Sequence, residues 1–189
     1  KDSFKEKEGF SLTYLPFFMK ACVEALKEFP EVNAQWVRDA IIRKKDIHLS
    51  MAVATEDALY VPVIKHADEL TVKGLAKRTN ELATKVRTGQ LKSDDMTGGT
   101  FTINNTGSFG SILSQPIINT PQAAILSVES IVKRPIVLDT EAGEVIAIRH
   151  MVNLCLSLDH RVLDGLICGK FLQAIKTKLE AINETTSVY

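Results

Sequence analysis

Residues 159–165, Asp-His-Arg-Val-Leu-Asp-Gly, decide the fold because the hydrophobic period of the chain changes there. Upstream, apolar side chains alternate along residues 144–158, which predicts one half-buried β-strand. Downstream, apolar positions from Leu163 to Ile182 recur at the spacing of one helical face. His160 is therefore predicted to lie at a strand-to-helix corner, where a rigid scaffold holds a polar side chain at the rim of a cleft.

This corner has two interpretations. Imidazole accepts and returns a proton near neutral pH, so His160 is a candidate general base. Alternatively, Asp164 is only the N-cap of the following helix and His160 is an ordinary polar turn residue. The seven residues taken alone are compatible with both a catalytic pair and a structural turn.

A second polar segment, residues 95–110, has the composition of a binding loop. Phe101 and Ile103 alternate with threonines and predict a short strand between glycine-rich turns. The glycines allow close approach of the backbone to a ligand, and Asn104, Asn105 and nearby hydroxyl groups supply donors. A hairpin with polar turns is the structural alternative. The Gly-Lys-Ser/Thr ending of a Walker A loop is absent.

Composition excludes several classes of function. Lysine plus arginine and aspartate plus glutamate both number 23, so no net field favours nucleic acid or a membrane surface. We find no apolar stretch of membrane-spanning length and no secretory signal, and expect a cytoplasmic protein. The three cysteines lie in apolar sequence, which predicts buried free thiols. No histidine has a partner at metal-ligand spacing, so we predict no metal site.

Strands and helices interleave along residues 1–189, which are enough for one domain with a sizeable core. The patterns predict helices over residues 16–29 and 68–88, strands over 47–53, 58–64 and 123–132, and a turn at 139–144. Hairpins between neighbouring strands indicate a mixed β-sheet. The predicted fold class is α/β, a two-layer sandwich of a mixed sheet and packed helices. No Gly-x-Gly-x-x-Gly follows a strand, which argues against dinucleotide binding.

The two polar segments together resemble the dihydrolipoamide acyltransferases, the core subunits of 2-oxo acid dehydrogenase complexes. His-x-x-x-Asp-Gly is the signature of the wider coenzyme A-dependent acyltransferase superfamily, which implies a chloramphenicol-acetyltransferase-like fold. Gly-Gly-Thr-Phe-Thr-Ile at 98–103 and Pro-Ile-Ile-Asn at 116–119 add to the resemblance. Residues 105–110 and 128–135 are most similar to the branched-chain type of Bacillus-like bacteria. The resemblance runs from about Phe10 to the C-terminus.

The resemblance implies transfer of an acyl group, of branched-chain type, between dihydrolipoamide and coenzyme A as substrates. His160 would be the base that removes the thiol proton. Asp164 would fix the geometry around His160, by pairing with an arginine. Asn104 would donate to the oxyanion, although relatives usually carry a serine or threonine there, and a carboxamide replaces that hydroxyl.

Further positions follow from the same resemblance. The residues expected to bind coenzyme A are Thr13, Asn104, Asn105, Glu129 and Ile131. Thr13 matches a hydroxyl near the pantetheine arm, and the strand around Glu129 offers backbone contacts, although relatives often carry glycine at that position. Ala54 stands where relatives have an aspartate, so that contact is expected to be absent.

The resemblance also implies partners. Chains would form trimers in which one subunit supplies the histidine and its neighbour the oxyanion donor, and the trimers would assemble into a cubic or icosahedral core. A separate lipoyl domain would supply the lipoyl group, and domains outside these residues would recruit decarboxylase and dihydrolipoamide dehydrogenase components. The first helix and strand of the family's catalytic domain are expected upstream of Lys1.

Three alternatives stay open. One is a catalytically inactive structural or anchoring subunit of such a complex; the intact His160 and Asp164 argue against it, since such relatives lose the histidine. Another is an acetyl- or succinyl-specific homologue. The third is an antibiotic acetyltransferase, which would keep the chemistry but lack the Gly-Gly-Thr-Phe-Thr motif.

Overall fold

A five-stranded β-sheet forms the centre of the fold in the computed structural model, which describes residues 2–189, with side chains from Phe4 onward. The helices are α1 (Asp2–Glu8), α2 (Leu15–Glu28), α3 (Val72–Arg87) and α4 (Gly165–Glu180). The strands are β1 (Ala34–Val37), β2 (Ala40–Arg43), β3 (Leu49–Met51), β4 (Val53–Ala54), β5 (Leu59–Tyr60), β6 (Val63–Ile64), β7 (Phe101–Asn105), β8 (Ala124–Val128), β9 (Val132–Thr140), β10 (Gly143–Met151) and β11 (Leu154–Leu158).

The central sheet has the strand order β11-β8-β7-β3-β6. Strands β3, β7 and β8 run parallel, whereas β6 and β11 pair antiparallel at the two edges. The predicted mixed sheet is therefore confirmed. Strand β8 is buried along its whole length, which explains why its sequence is a nearly continuous apolar run rather than an alternation.

A helical layer covers this sheet. Helix α2 packs against both α3 and α4, and one hydrophobic cluster joins the three helices to the central strands. At its centre the rings of Phe101 on β7 and Phe171 on α4 meet edge to face, with 5.8 Å between their centroids. Both side chains are fully buried, and burial of rings of this size stabilises the fold by roughly 1.5–3 kcal/mol each. The predicted two-layer α/β sandwich is confirmed.

The helix boundaries follow capping chemistry. Helix α2 matches its prediction to within one residue at each end. The helix predicted over residues 68–88 is too long, because Ala67–Glu69 forms a separate 3₁₀ turn and Leu70 is extended. The hydroxyl of Thr71 then accepts a hydrogen bond from the Gly74 amide and starts α3. Gly89 follows the helix with a φ of +66°, as expected of a helix-terminating glycine.

A single β-bulge interrupts both of the long strands that were predicted over residues 123–132 and 144–158. The run 144–158 is not one strand but β10 and β11, and the run 123–132 divides into β8 and the start of β9. Val128 pairs with Leu154 and Val132 with Met151, so three residues, 129–131, oppose the two residues 152 and 153. The amide of Glu129 donates to the Asn153 carbonyl within this bulge. Bulges of this kind bend a strand pair and redirect its side chains.

Beyond the bulge, β9 and β10 form a separate two-stranded ribbon. The alternation in 144–151 predicted half-buried side chains, and that part of the prediction is wrong within the single chain. Ile146 is 80% exposed and Ile148 is 69% exposed. The period-2 pattern correctly marks a strand, but residues 4–189 provide no second layer that covers Ile146 and Ile148 on the ribbon.

The cysteines are free thiols, as predicted. Cys22 and Cys168 are buried, and Cys155 is half-buried. Burial raises the pKa of the Cys22 thiol, and burial together with the Asp164 carboxylate raises the pKa of Cys168. Among residues 2–189, none of the helices combines the length and apolar character needed to cross a membrane.

Candidate active site

A cavity of about 650 Å³ lies where the start of α2, strand β4 and the ends of β7 and β8 meet. It brings together the positions predicted to bind coenzyme A, which are Thr13, Asn104, Asn105, Glu129 and Ile131. His160 and Asp164 do not line this cavity. The candidate site residues therefore form two groups within one chain.

Asn104 lies near the end of β7, half-buried in the cavity wall. Its carbonyl oxygen Oδ1 accepts a hydrogen bond of 2.9 Å from the backbone amide of Asn105. This local bond fixes the orientation of the carboxamide and leaves its NH₂ group without a hydrogen-bond partner among the described residues. Asn104 thus has two free N–H donors at the cavity wall, and one lone pair of its Oδ1 atom is already used.

Glu129 lies in the bulge after β8 and is only 2% exposed. Thr106 donates a hydrogen bond of 2.7 Å to its Oε2 atom, and Ser114 donates one of 2.5 Å to its Oε1 atom. Burial raises the pKa of the Glu129 carboxyl, but the surrounding hydroxyl groups of Ser111, Ser114, Thr106 and Ser127 outweigh that effect and lower the pKa below its usual range. The side chain is therefore an ionised carboxylate held by hydroxyl groups.

Several lining residues were not predicted. Arg87, in the last turn of α3, brings a positive charge to the cavity and forms no ion pair within residues 4–189. Met51 and Phe18 contribute apolar side chains to the cavity wall. Phe109 also lines the cavity, and 74% of its surface is exposed. In sequence, Arg87 is one of many charges on an exposed helix face, so no local signal distinguishes it. Ala54 lines the cavity where relatives are expected to place a carboxylate.

The corner that carries His160 is tied to the sheet through Asp159. The Asp159 amide donates to the Ala123 carbonyl at 2.7 Å, and its side chain accepts two hydrogen bonds from the Arg161 guanidinium. His160 itself is exposed. The strand-to-helix corner predicted for His160 is therefore confirmed.

Asp164 has the capping role that the sequence offered as the structural alternative. Its Oδ1 atom accepts a hydrogen bond of 2.9 Å from the Ile167 amide in the first turn of α4. The expected pairing of Asp164 with an arginine is wrong within the described chain, because Arg161 pairs with Asp159 instead. Asp164 fixes the backbone that follows His160 rather than the imidazole itself.

Strand register separates the two groups of site residues. Asn104 on β7 lies beside Ser127, near the end of β8, whereas Leu158 at the end of β11 lies beside Ala124, where β8 begins. Three residues of β8 separate these levels, about 10 Å at the usual rise per residue, and His160 lies two residues further on. His160 therefore follows the sheet at the N-terminal ends of the parallel strands, and Asn104 lies near their C-terminal ends.

Asp46, His48 and His66 bring one ligand-type atom each to within 4.8 Å of one another, although their spacing predicted no metal site. They come from separate segments, so sequence spacing carried no signal. The Nδ1 atom of His48 accepts a hydrogen bond of 2.9 Å from the His66 amide. In the neutral imidazole this leaves the proton on Nε2, so ligation of a cation through Nε2 would break that bond. The arrangement favours a structural histidine pair.

Comparisons with known proteins agree with the motifs. The family model of the 2-oxoacid dehydrogenases acyltransferase (catalytic domain) matches residues 1–186. The lipoamide acyltransferase component of the branched-chain alpha-keto acid dehydrogenase complex from Bacillus subtilis (strain 168) is 66% identical over 189 residues. That match covers 100% of this chain and 44% of the relative, so the chain spans less than half of the relative's length.

Solved structures give the same result. A probable dihydrolipoamide acetyltransferase from Listeria monocytogenes has a TM-score of 0.95 at 60% identity, over 100% of this chain and 80% of that one. The dihydrolipoamide acetyltransferase of Azotobacter vinelandii has a TM-score of 0.88 at 37% identity, over 95% of this chain and 74% of that one. That structure was investigated for the roles of a serine, a histidine and an asparagine in the catalytic mechanism.

A chloramphenicol acetyltransferase has a TM-score of 0.55 at 13% identity over 94% of this chain and 82% of that chain, which confirms the predicted fold and nothing more. The sequence motifs, the mixed sheet with its bulge and the family match over residues 1–186 agree. This chain belongs to the family of 2-oxoacid dehydrogenase acyltransferase catalytic domains.

Proposed function

We propose that this chain is the catalytic domain of a lipoamide acyltransferase of branched-chain type, moving an acyl group between dihydrolipoamide and coenzyme A. The observation that carries the proposal is the intact His160-to-Gly165 corner in a chain that is 66% identical, over its full length, to the Bacillus subtilis relative. An inactive anchoring subunit would have no need of this histidine, and no observation favours that alternative.

His160 is the general base in this proposal. A thiol with a pKa near 8.5 is mostly protonated at neutral pH, so removal of its proton during attack speeds transfer by roughly 10²–10⁴. The imidazole takes the proton of the incoming coenzyme A thiol, and the sulfur forms a bond to the thioester carbon. When the tetrahedral intermediate collapses, the bond to the lipoyl sulfur breaks and the imidazolium returns the proton to that leaving sulfur.

Asn104 stabilises the oxyanion of that intermediate. Its Oδ1 atom is already occupied by the Asn105 amide, so the NH₂ group is the part directed at a ligand. Donors fixed in advance where negative charge develops are worth about 10²–10³ in rate. In the Azotobacter vinelandii relative the investigated histidine and asparagine are four residues apart, as His160 and Asp164 are here, which supports a role for both positions.

The complete site forms between subunits of a trimer. Because His160 and Asn104 lie toward opposite ends of the parallel strands of one sheet, a single chain does not bring base and oxyanion donor to one substrate. A neighbouring copy that places its His160 against this chain's cavity completes the site. Exposed Ile146 and Ile148 on the β9–β10 ribbon supply apolar surface for such association.

The remaining parts follow from this assignment. Coenzyme A occupies the cavity lined by Thr13, Asn105, Glu129 and Ile131, and the lipoyl group arrives on a separate domain. Higher assembly of trimers forms the core to which decarboxylase and dihydrolipoamide dehydrogenase components attach, in the bacterial cytoplasm. No step of this mechanism requires a metal.

One assay tests the proposal and the acyl group together. The assembled protein is given free dihydrolipoamide with acetyl-, succinyl-, isobutyryl- or isovaleryl-coenzyme A, and acyl-dihydrolipoamide is measured. We expect the branched donors to have the highest kcat/KM. Absence of transfer from every donor would support the anchoring subunit, and a preference for acetyl or succinyl would support the corresponding homologue.

A further inference from the structure

The Glu129 carboxylate has no cationic partner among the described residues, although it is almost fully buried. Its acceptors are satisfied by two hydroxyl groups from the segment that follows β7, those of Thr106 and Ser114. A buried charge without an opposite charge is costly unless hydrogen bonds compensate it. Thr106 and Ser114 are eight positions apart, so this carboxylate joins the two ends of one loop.

Ser127 completes a closed ring of hydrogen bonds with these three residues. Its hydroxyl oxygen lies 3.1 Å from that of Thr106 and 3.1 Å from that of Ser114. Around the ring there are four contacts, but the three hydroxyl groups have only three protons between them. Because the ionised carboxylate only accepts, Thr106 and Ser114 donate to it, and Ser127 donates to one of the two hydroxyls.

The rest of the loop rests on the same bulge. The Ser130 hydroxyl donates to the Gly107 carbonyl at 2.8 Å, and the Ser130 amide donates to the Ser111 carbonyl at 2.7 Å. Gly107 approaches so closely that a Cβ atom on it would lie 2.5 Å from the Glu129 carbonyl oxygen. This contact requires glycine at position 107.

The loop has little hydrophobic anchorage of its own. Phe109 and Leu113 are each 74% exposed, and Ile112 is also exposed. A segment without buried apolar side chains depends on polar contacts for a fixed conformation. The same segment forms the cavity wall through Gly107, Ser108 and Phe109, directly after Asn104 and Asn105.

We propose that Glu129 is a positioning residue, whose side-chain carboxylate holds the segment from Thr106 to Ser114 in the conformation that shapes the coenzyme A cavity. In this role Glu129 accepts hydrogen bonds from hydroxyl groups at both ends of the loop, and the role does not depend on the negative charge itself. Its effect on acyl transfer rests on the proposed function, whereas its effect on the loop does not.

The test compares Glu129→Gln with Glu129→Ala in the assembled protein, with Glu184→Ala as the control for loss of an exposed carboxylate. A glutamine accepts through Oε1 and donates through Nε2, so all four contacts of the ring then have a proton. Amide hydrogen exchange in residues 106–114 is measured first. We expect exchange in the glutamine variant to match the parent protein and exchange in the alanine variant to be at least about tenfold faster.

Kinetics form the second readout. We expect Glu129→Ala to raise KM for coenzyme A by at least about fivefold while changing kcat less, because His160 and Asn104 are retained. Glu129→Gln is expected to restore KM. An alanine variant with unchanged exchange, a glutamine variant as mobile as the alanine variant, or faster exchange with an unchanged KM would each overturn the proposal.

Two single-donor variants replace Glu129→Ala if that variant does not assemble. If Glu129→Ala does not assemble, Thr106→Val and Ser114→Ala each remove one donor from the ring, and we expect faster exchange in the loop in both. If the parent protein shows no acyl transfer, the proposed function fails, and the exchange measurements still decide whether Glu129 positions the loop.

Discussion

The guanidinium of Arg161 lies over the ring of Trp36, 4.8 Å from its centroid. The same guanidinium makes two hydrogen bonds to the Asp159 carboxylate, so it joins the β1–β2 hairpin to the turn that carries His160. Planar arginine suits this double role, because it stacks on an aromatic face and pairs with a carboxylate in a fixed fork geometry. The residue next to the proposed base is thus held on both sides.

Arg161→Lys tests this arrangement. Lysine keeps the charge but loses the stacking geometry and the paired hydrogen bonds, so the His160 turn loses part of its support. We expect kcat to fall several-fold and KM for coenzyme A to change less, because the turn carries the proposed base whereas the residues expected to bind coenzyme A lie on the neighbouring subunit. Arg78→Lys on the exposed face of α3 is the matched control. Equal kinetics in the two variants would show that the stacked arginine does not position His160.

His160→Ala tests the base. Since the imidazole acts in the transition state, turnover should fall by at least about 10²-fold with little change in coenzyme A affinity. Steady-state kinetics and direct binding of coenzyme A give the two quantities. His150→Ala, at an exposed position on β10, serves as the control, and near-parent turnover in a correctly assembled His160→Ala protein contradicts the assignment.

Asn104 tests the oxyanion donor. We expect Asn104→Ala to add roughly 2.7–4 kcal/mol to the barrier, mainly through kcat, because the ground-state carbonyl carries far less charge than the intermediate. Asn104→Ser should recover part of the loss, since a hydroxyl also donates. An alanine variant with full kcat but a raised KM for coenzyme A would instead make Asn104 a ligand-positioning residue. Oligomeric state is measured first in each variant.

Mixing subunits tests the shared site. His160→Ala and Asn104→Ala subunits should each have little activity as homo-oligomers, but a neighbouring pair of the right order has one intact base and one intact donor. Random assembly from an equal mixture should restore about a quarter of the parent activity, because each site takes one residue from each of two neighbours. Co-refolded mixtures are assayed against separately folded and then combined proteins. A mixture with no regained activity would place both residues in one subunit.

The pH dependence of stability tests Asp159. Hydrogen bonds from the Arg161 side chain, which outweigh the effect of burial, together with the bond from the Arg161 amide, lower the pKa of the Asp159 carboxyl. A lowered pKa means that the stabilisation is fully present above the unfolded value of about 3.9 and is lost as pH falls through the folded value. The difference in Tm between the parent protein and Asp159→Asn should be constant above about pH 5 and shrink below about pH 4. Asp57→Asn, in an exposed turn, should show no such change.

The sequence pattern correctly predicted the elements of the fold that depend on interactions between residues close in sequence. The hydrophobic period, together with the prolines and glycines that interrupt it, correctly predicted three elements: the corner at His160, the strand beginning at Phe101 and the helix α2. The bulge was not predictable in this way, because it depends on pairing between Glu129 and Asn153, which are distant in sequence. An alternating or continuous apolar run carries no information about where its partner strand is interrupted.

In the candidate site, too, the residues of a local motif were predicted, whereas contacts between distant residues were not. Asn104 and Asn105 were identified from a compact motif, and they do share one cavity. The ring around Glu129 was missed because its hydroxyl groups are ordinary serines and threonines spread over residues 106–127. The separation of His160 from Asn104 within one chain was expected only from the family resemblance, because deriving it from the residues requires the register of three strands.

The bulge at Glu129 also affects how the newly synthesised chain behaves before it assembles. It releases a ribbon of two nine-residue strands, about 30 Å long, in which Ile146 and Ile148 face water and the outer backbone groups pair with no further strand of the described residues. Such an edge is a template for indiscriminate pairing. If the chain forms the proposed trimer, folding and assembly are coupled: the unassembled chain is then less stable and more prone to aggregate, and its stability depends on its concentration.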